Sequence, residues 1–208
     1  MEYKKFSENR YDINSYLFFD KNTGFAAVID PGINSKALIA FMEENNLNLS
    51  MILLTHGHVD HILEIPVLLA KYDAKIYAHQ DEKTLLADAS KNLSAAMGPA
   101  KLELEADYYL TDGDSVQLED LELKVLHTPG HTKGGICFYS ETDIFTGDTL
   151  FRGSIGRTDL YSGNYDEILN SLVKLSKLDR NLKVFPGHGG SSTIQREVDT
   201  NPFYRGLI

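Results

Sequence analysis

The chain has 208 residues, 42% hydrophobic and 24% charged, which is enough apolar content for a sizeable core within one large domain and excludes a disordered or fibrous chain. Lys and Arg number 20 against 30 Asp and Glu, so the net charge is −10; this argues against a general nucleic-acid or anionic-membrane surface and requires any anionic substrate to meet locally placed positive charge. The single cysteine, Cys137, excludes an intrachain disulfide. Neither a signal-like apolar run behind Met1-Glu2-Tyr3-Lys4-Lys5 nor a membrane span of roughly 20 apolar residues is evident, so a cytoplasmic protein is expected.

Residues 14–20 and 25–30 flank Lys21-Asn22-Thr23-Gly24 and read as a β-hairpin that Pro31-Gly32 stops. Ser35 reads as the N-cap of an amphipathic helix over 36–46, because Leu38, Phe41 and Met42 fall at i, i+3 and i+4. An apolar strand at 51–54, a helix through 66–70 and a strand at 75–78 continue an alternating order, with apolar strands sandwiched between layers. Residues 88–106 carry the least pattern and read as a surface loop or flap. Short strands at 107–110, 115–118, 121–126, 135–139 and 143–146 imply a second sheet. A helical period follows over 166–178, and 183–185 is the last apolar strand before Pro186-Gly187. The simplest arrangement is a two-sheet core with outer helices.

Directly after strand 51–54 the chain reads Thr55-His56-Gly57-His58-Val59-Asp60-His61. Imidazole and carboxylate are zinc's usual nitrogen and oxygen ligands, and a neutral imidazole needs no deprotonation, so three histidines and an aspartate at this spacing point to a metal. Packed without one, these groups would lack partners. Gly57 is expected to remove a side chain that would crowd the ion. Three further turns, each closely following an apolar strand, end in candidate ligands: Thr128-Pro129-Gly130-His131-Thr132, Thr146-Gly147-Asp148-Thr149 and Pro186-Gly187-His188-Gly189. Functional loops of open α/β architectures lie outside strand ends, so the four loops can meet at one edge.

The set His-x-His-x-Asp-His followed by His131, Asp148 and His188 resembles the metallo-β-lactamase fold superfamily over essentially the whole chain. With Asp30-Pro31-Gly32, the segments around His131, Asp148 and His188 are most similar to glyoxalase II-like thioesterases, the hydroxyacylglutathione hydrolases. The resemblance implies an α/β (α+β) four-layer αββα sandwich holding two divalent ions, zinc foremost, with iron and manganese the other candidates. Carried over, His56, His58 and His131 would hold the first ion, Asp60, His61 and His188 the second, and Asp148 would bridge them. Only 20 residues follow His188, too few for the helical C-terminal domain that supplies most glutathione contacts in longer relatives. The expectation is therefore one metallo-β-lactamase-like domain over 1–208, of the short bacterial type. Gly156-Arg157-Thr158-Asp159-Leu160 and Thr200-Asn201-Pro202-Phe203 also resemble that type.

Such a site keeps a local charge of about +1 once two aspartates and a hydroxide are counted against two ions, favouring an anionic or polarisable carbonyl substrate. The implied reaction is attack of a metal-bridging hydroxide on a small-molecule acyl-thiol such as S-lactoylglutathione, with Asp60 as the catalytic residue that orients the nucleophile. Asp30 is the candidate that orients a ligating imidazole. Arg157 and Tyr161 are candidate substrate contacts, with Arg152 and Lys133 as further nearby charge. A mononuclear iron persulfide dioxygenase using His56, His131 and Asp148, and a lactonase with the full ligand set, are the competing readings. RNA processing is disfavoured by the acidic charge and by the interval of 40 residues from Asp148 to His188, too short for the extra cap domain of RNA-processing relatives. Outside the ligand set, His79 is expected to cap a turn or lie exposed, His127 to pack or support a ligand, and Cys137 to be buried and inert.

Overall fold

In the computed structural model, which describes residues 2–8 and 12–208, side-chain alternation along the strands sorts the apolar residues into three buried layers. The first sheet contains β1 (Glu2–Glu8), β2 (Ile13–Phe19), β3 (Phe25–Ile29), β4 (Asn48–Leu53), β5 (Lys75–His79) and β6 (Tyr108–Leu110), in that spatial order. Its first three strands are antiparallel, whereas β3 to β6 are parallel and linked by helices: α1 (Ser35–Glu44), then α2 (Val59–Ile62) and α3 (Ile65–Leu69), then α4 (Lys83–Leu86) and α5 (Ser94–Met97).

The second sheet is built from β7 (Ser115–Leu118), β8 (Leu121–His127), β9 (Ile136–Tyr139), β10 (Asp143–Gly147), β13 (Lys183–Pro186) and β14 (Ser192–Thr193), in the order β14-β13-β10-β9-β8-β7. A small hairpin of β11 (Leu150–Phe151) and β12 (Ser154–Ile155) follows β10 and leads to α6 (Tyr165–Leu175), and α7 (Ile194–Thr200) follows β14.

Successive strand residues point to opposite faces. Tyr16 and Phe18 of β2 therefore face the second sheet, while Leu17 and Phe19 face α1 and α3. In β9 the same rule sends Ile136 and Phe138 between the sheets and Cys137 toward α6. The inter-sheet layer is rich in aromatic rings: Phe145 stacks on Phe185 at 5.2 Å and receives the edge of Phe18 at 4.9 Å. Helices cover both outer faces, so the expected αββα sandwich is the architecture observed. No helix among the described residues is long and apolar enough to cross a membrane.

The structure differs from the sequence expectation in detail. The helix cap is Asn34, not Ser35: it sits in the left-handed region at φ 54, where asparagine is tolerated, and its side chain accepts the Ala37 N–H. Residues 88–106 are not a free flap. Buried Asn92 donates to the carbonyls of Leu86 and Leu102 and accepts the Val59 N–H, so the segment is fastened beside the His58–His61 turn. The helix expected over 166–178 ends at Leu175, and β1, β14 and α7 were not anticipated.

Phe138 is fully buried between the sheets, so Phe138→Ala should lower unfolding free energy by about 3–5 kcal/mol, read from urea denaturation. Burial pushes the Cys137 thiol up to about 12, against the pull of hydrogen bonds from Thr128 and Thr149. The native protein should therefore show no reactive thiol at pH 8 in a dithiobis-nitrobenzoate titration, and one after denaturation.

Candidate metal centre

The strands that carry the candidate ligands end at one edge of the sandwich. β3 and β4 run parallel in the first sheet, and β8, β10 and β13 share one direction in the second. Asp30 follows β3, Thr55 to His61 follow β4, His131 follows β8, Asp148 follows β10 and His188 follows β13. All seven expected ligand residues are brought together there.

Ligand atoms of His56, His58 and His131 lie within 4.8 Å of one another, as do those of Asp60, His61 and His188. Asp148 stands between the two groups: one oxygen is 3.3 Å from His61 Nε2, and the other is 3.5 Å from both His131 Nε2 and His188 Nε2. Asp60 reaches His188 Nε2 at 3.3 Å and is the most exposed member, with a third of its side chain open to solvent. His56, His58 and His61 are 2% exposed or less, yet each keeps an Nε2 with no hydrogen-bond partner, as does Asp148 Oδ1. Buried polar atoms are ordinarily paired, so the bare Nε2 atoms of His56 and His61 and Oδ1 of Asp148, together with His58 Nδ1 and His131 Nε2 facing each other at 2.9 Å, fit a divalent cation. A His and carboxylate set of this kind suits zinc, iron or manganese.

The surrounding hydrogen bonds fix which ring nitrogens face inward. His131 Nδ1 donates to the Arg157 carbonyl at 2.7 Å, leaving Nε2 as a lone pair. Asp30 accepts the Thr55 N–H (2.8 Å), the Thr55 hydroxyl (2.6 Å) and His61 Nδ1 (2.9 Å). With its proton given to Asp30, the Thr55 hydroxyl lies 3.2 Å from His56 Nδ1 and can accept from it. One carboxylate thus orients two of the rings.

Burial, reinforced by His61 and His131, holds the His56 imidazole well below the usual histidine range, and burial beside His131 lowers His58 to about 3. Both rings are neutral donors at neutral pH. Burial opposes charge on His61 and Asp148 as well, but the surrounding carboxylates raise the first and the surrounding histidines lower the second, so the group of Asp30, Asp60 and Asp148 is a strong attractor of positive charge.

Two of the chain's close glycine approaches bear on the ligand loops. A Cβ on Gly187 would lie 2.4 Å from Asp148 Oδ1 and 2.6 Å from His61 Cε1, inside the site itself. Gly57 corrects the expectation made for it: its Cβ would strike Leu85 and Leu86 of α4 at 2.7 and 2.8 Å, so the constraint is packing against α4.

The remaining candidates are placed less centrally. Arg157 is exposed and bound through two nitrogens to Asp159 at 2.7 Å, and the exposed Tyr161 ring lies 5.0 Å from the Lys91 ammonium. Lys133 pairs with Asp81 at 3.4 Å. His79 does cap the turn after β5, but it is buried, not exposed, and stacks on His127 at 4.1 Å. Sequence reasoning missed Asn14 and Glu82. Asn14 donates to the carbonyls of Pro186 and Gly189, both at 2.9 Å, and so holds the His188 turn. Glu82 accepts the Gly57 N–H at 2.7 Å and the Gly134 N–H at 2.9 Å. A surface cleft of about 680 Å³ around Leu121, Tyr139 and Leu178 contains none of these residues.

An αββα sandwich with this histidine and aspartate edge defines a class of metal-centred enzymes. Residues 9–188 match the family model of the metallo-beta-lactamase superfamily, and the chain belongs to it. It is 34% identical to the probable metallo-hydrolase YqgX of Bacillus subtilis, covering 100% of this chain and 99% of that protein. It is 35% identical to the hydroxyacylglutathione hydrolase GloC of Haemophilus influenzae, covering 91% and 92%. Among solved structures, BLEG-1 B3 metallo-beta-lactamase superposes with a TM-score of 0.89 at 33% identity, covering 99% of this chain and 100% of that one. TTHA1623 in a di-iron-bound form gives 0.84 at 33% identity, over 96% and 99%, and ETHE1 from Myxococcus xanthus 0.80 at 28%, over 97% and 84%.

Gly187→Ala should fold with reduced thermal stability and lose at least half of the metal bound per chain, measured by elemental mass spectrometry after gel filtration.

Proposed function

We propose that this member of the superfamily is a glyoxalase II-like thioesterase, hydrolysing a small-molecule acyl-thiol of the S-lactoylglutathione class at a centre of two divalent ions, zinc foremost. The observation that carries the reading is the convergence of seven side chains from four strand-end loops, with buried donor atoms left bare. His56, His58 and His131 would hold one ion and Asp60, His61 and His188 the other. Asp148, with one oxygen facing His61 and the other facing His131 and His188, would serve both. Bound ions supply an activated water at neutral pH and polarise an acyl carbonyl, so no serine or cysteine nucleophile is required.

The chain's own residues then have separable tasks. His56 and His58, neutral at working pH, present lone pairs without first losing a proton. Asp30 holds His61 directly and His56 through Thr55, so neither ring turns during turnover. Asp60 is the catalytic carboxylate: partly solvent-exposed and 3.3 Å from His188, it can orient the attacking water and take its proton. Arg157, whose carbonyl holds His131, and the exposed Tyr161 are the candidate substrate contacts. Arg157 is paired with Asp159, but both side chains are exposed, so an anionic substrate can displace that pair at little cost. The similarity to GloC supports the acyl-thiol class.

Protein purified from cells supplied with zinc and iron should contain about two zinc ions per chain, and Asp148→Ala should lose both and with them hydrolysis of S-lactoylglutathione. One iron per chain, retained in His188→Ala together with oxygen consumption on a persulfide, would replace the thioesterase reading with the dioxygenase. Hydrolysis of lactones but not thioesters would shift the substrate class and leave the ligand set intact.

A further inference from the structure

The first group of ligands joins two sheets: His56 and His58 follow β4, whereas His131 follows β8. Between those sheets lies apolar packing, which fixes their separation but is non-directional and does not set the angle of a ring. Directional links join these two loops at a few points. A backbone bond runs from Ile136 N–H to the Thr55 carbonyl, at 2.9 Å, and His58 Nδ1 meets His131 Nε2 at 2.9 Å, a pair of atoms that a bound ion would take over. Another link runs through Glu82.

Glu82 is 1% exposed, in the short turn after β5. One oxygen accepts the N–H of Gly57, the residue between His56 and His58, and the other accepts the N–H of Gly134, three residues after His131. A buried carboxylate is costly unless its oxygens are hydrogen-bonded, and here the donors are the backbones of both ligand loops. The turn that carries Glu82 is itself fastened at both ends of this link. His79 Nδ1 accepts the Asp81 N–H at 3.2 Å, and its ring stacks on His127 at 11° between planes. His127 Nε2 in turn donates to the Lys133 carbonyl at 2.9 Å, the residue before Gly134. Burial beside His127 lowers His79 to about 4, so it stays neutral and able to accept.

We propose that Glu82, carried on the turn held by the His79–His127 stack, is a positioning residue that clamps the His56–His58 loop to the His131 loop and so preforms the first metal site alone. The second group is held by other means: His61 by Asp30, and the His188 turn by Asn14 and by the Tyr16 hydroxyl on the Pro186 carbonyl at 2.8 Å. Glu82 touches neither. Its loss therefore separates the two sites, which a general loss of stability would not do. This inference rests on the reading that His56, His58 and His131 hold a metal.

The experiment uses Glu82→Gln, which keeps the shape of the side chain but sets an NH2 against one of the two N–H donors. Val125→Ala, an inter-sheet core change that leaves Glu82 and its two N–H donors in place, serves as a control for lowered stability. In metal-free protein, hydrogen exchange followed by NMR should show slow Gly57 and Gly134 amides in wild type and Val125→Ala, and faster exchange at one or both in Glu82→Gln. In chelator competition with zinc, Glu82→Gln should bind one of its two ions at least about tenfold more weakly, the other unchanged, as expected for loss of an outer-shell partner. Glu82→Asp, which retains two acceptor oxygens, should recover part of that affinity. Zinc affinities in Glu82→Gln equal to those of Val125→Ala, or an equal weakening at both sites, would overturn the clamp. Wild-type protein that takes up no metal would instead overturn the functional reading, and the exchange experiment would still decide whether Glu82 joins the loops.

Discussion

The ligand edge depends on a carboxylate that has been taken out of water. Asp30 is 2% exposed and sits in the left-handed region at φ 49, where β3 gives way to the Pro31-Gly32 turn. Burying a charge is tolerable only when its lone pairs are filled, and three donors fill them: a backbone N–H and a hydroxyl from Thr55, and the ring of His61. The same bonds fix the course of the chain leaving β4. His56 follows Thr55 directly, and the His58 to His61 turn begins two residues later. A displaced Asp30 would shift several ligands at once, because they lie on one short stretch anchored at one point.

The rest of the edge repeats this solution with different side chains. Glu82 ties the first loop to the His131 loop, and Asn14 ties the start of β2 to the His188 turn. Each anchor is a buried polar side chain whose partners are backbone groups of a ligand loop. The apolar layers hold the sheets at their spacing, while these anchors supply direction. The sandwich can therefore keep an interior of Leu, Ile, Val and Phe that carries no polar duty, with the polar work confined to one rim.

The ligands were legible in the sequence because each follows a short apolar strand, and because three histidines and an aspartate within six residues have no ordinary packing role. The β2–β3 hairpin and the β-α-β order were legible from apolar runs and turn residues. The anchors were not. Glu82 stands in Gln80-Asp81-Glu82-Lys83, which reads as a solvated helix start, and its burial follows only from where β5 places it against two loops distant in sequence. Asn14 inside an apolar strand was a weak signal of the same kind, a polar residue where the face had to be buried. β1 was missed because Tyr3, Lys4 and Lys5 lie exposed on an edge strand and, among its described side chains, Phe6 alone is buried, so its sequence shows no apolar face.

The Asn14 bond to Pro186 spans 172 residues, and Ile13 forms a β-bridge with His188. Contacts that close so much of the chain form after local ones, because the entropy of closing the loop must be met first. The order of assembly therefore has a chemical consequence. During synthesis His56, His58, Asp60 and His61 leave the ribosome well before His131, Asp148 and His188. The growing chain offers an ion no more than fragments of a ligand set until folding is nearly complete. An ion that needs donors from both sheets would therefore meet its complete set only in the folded chain.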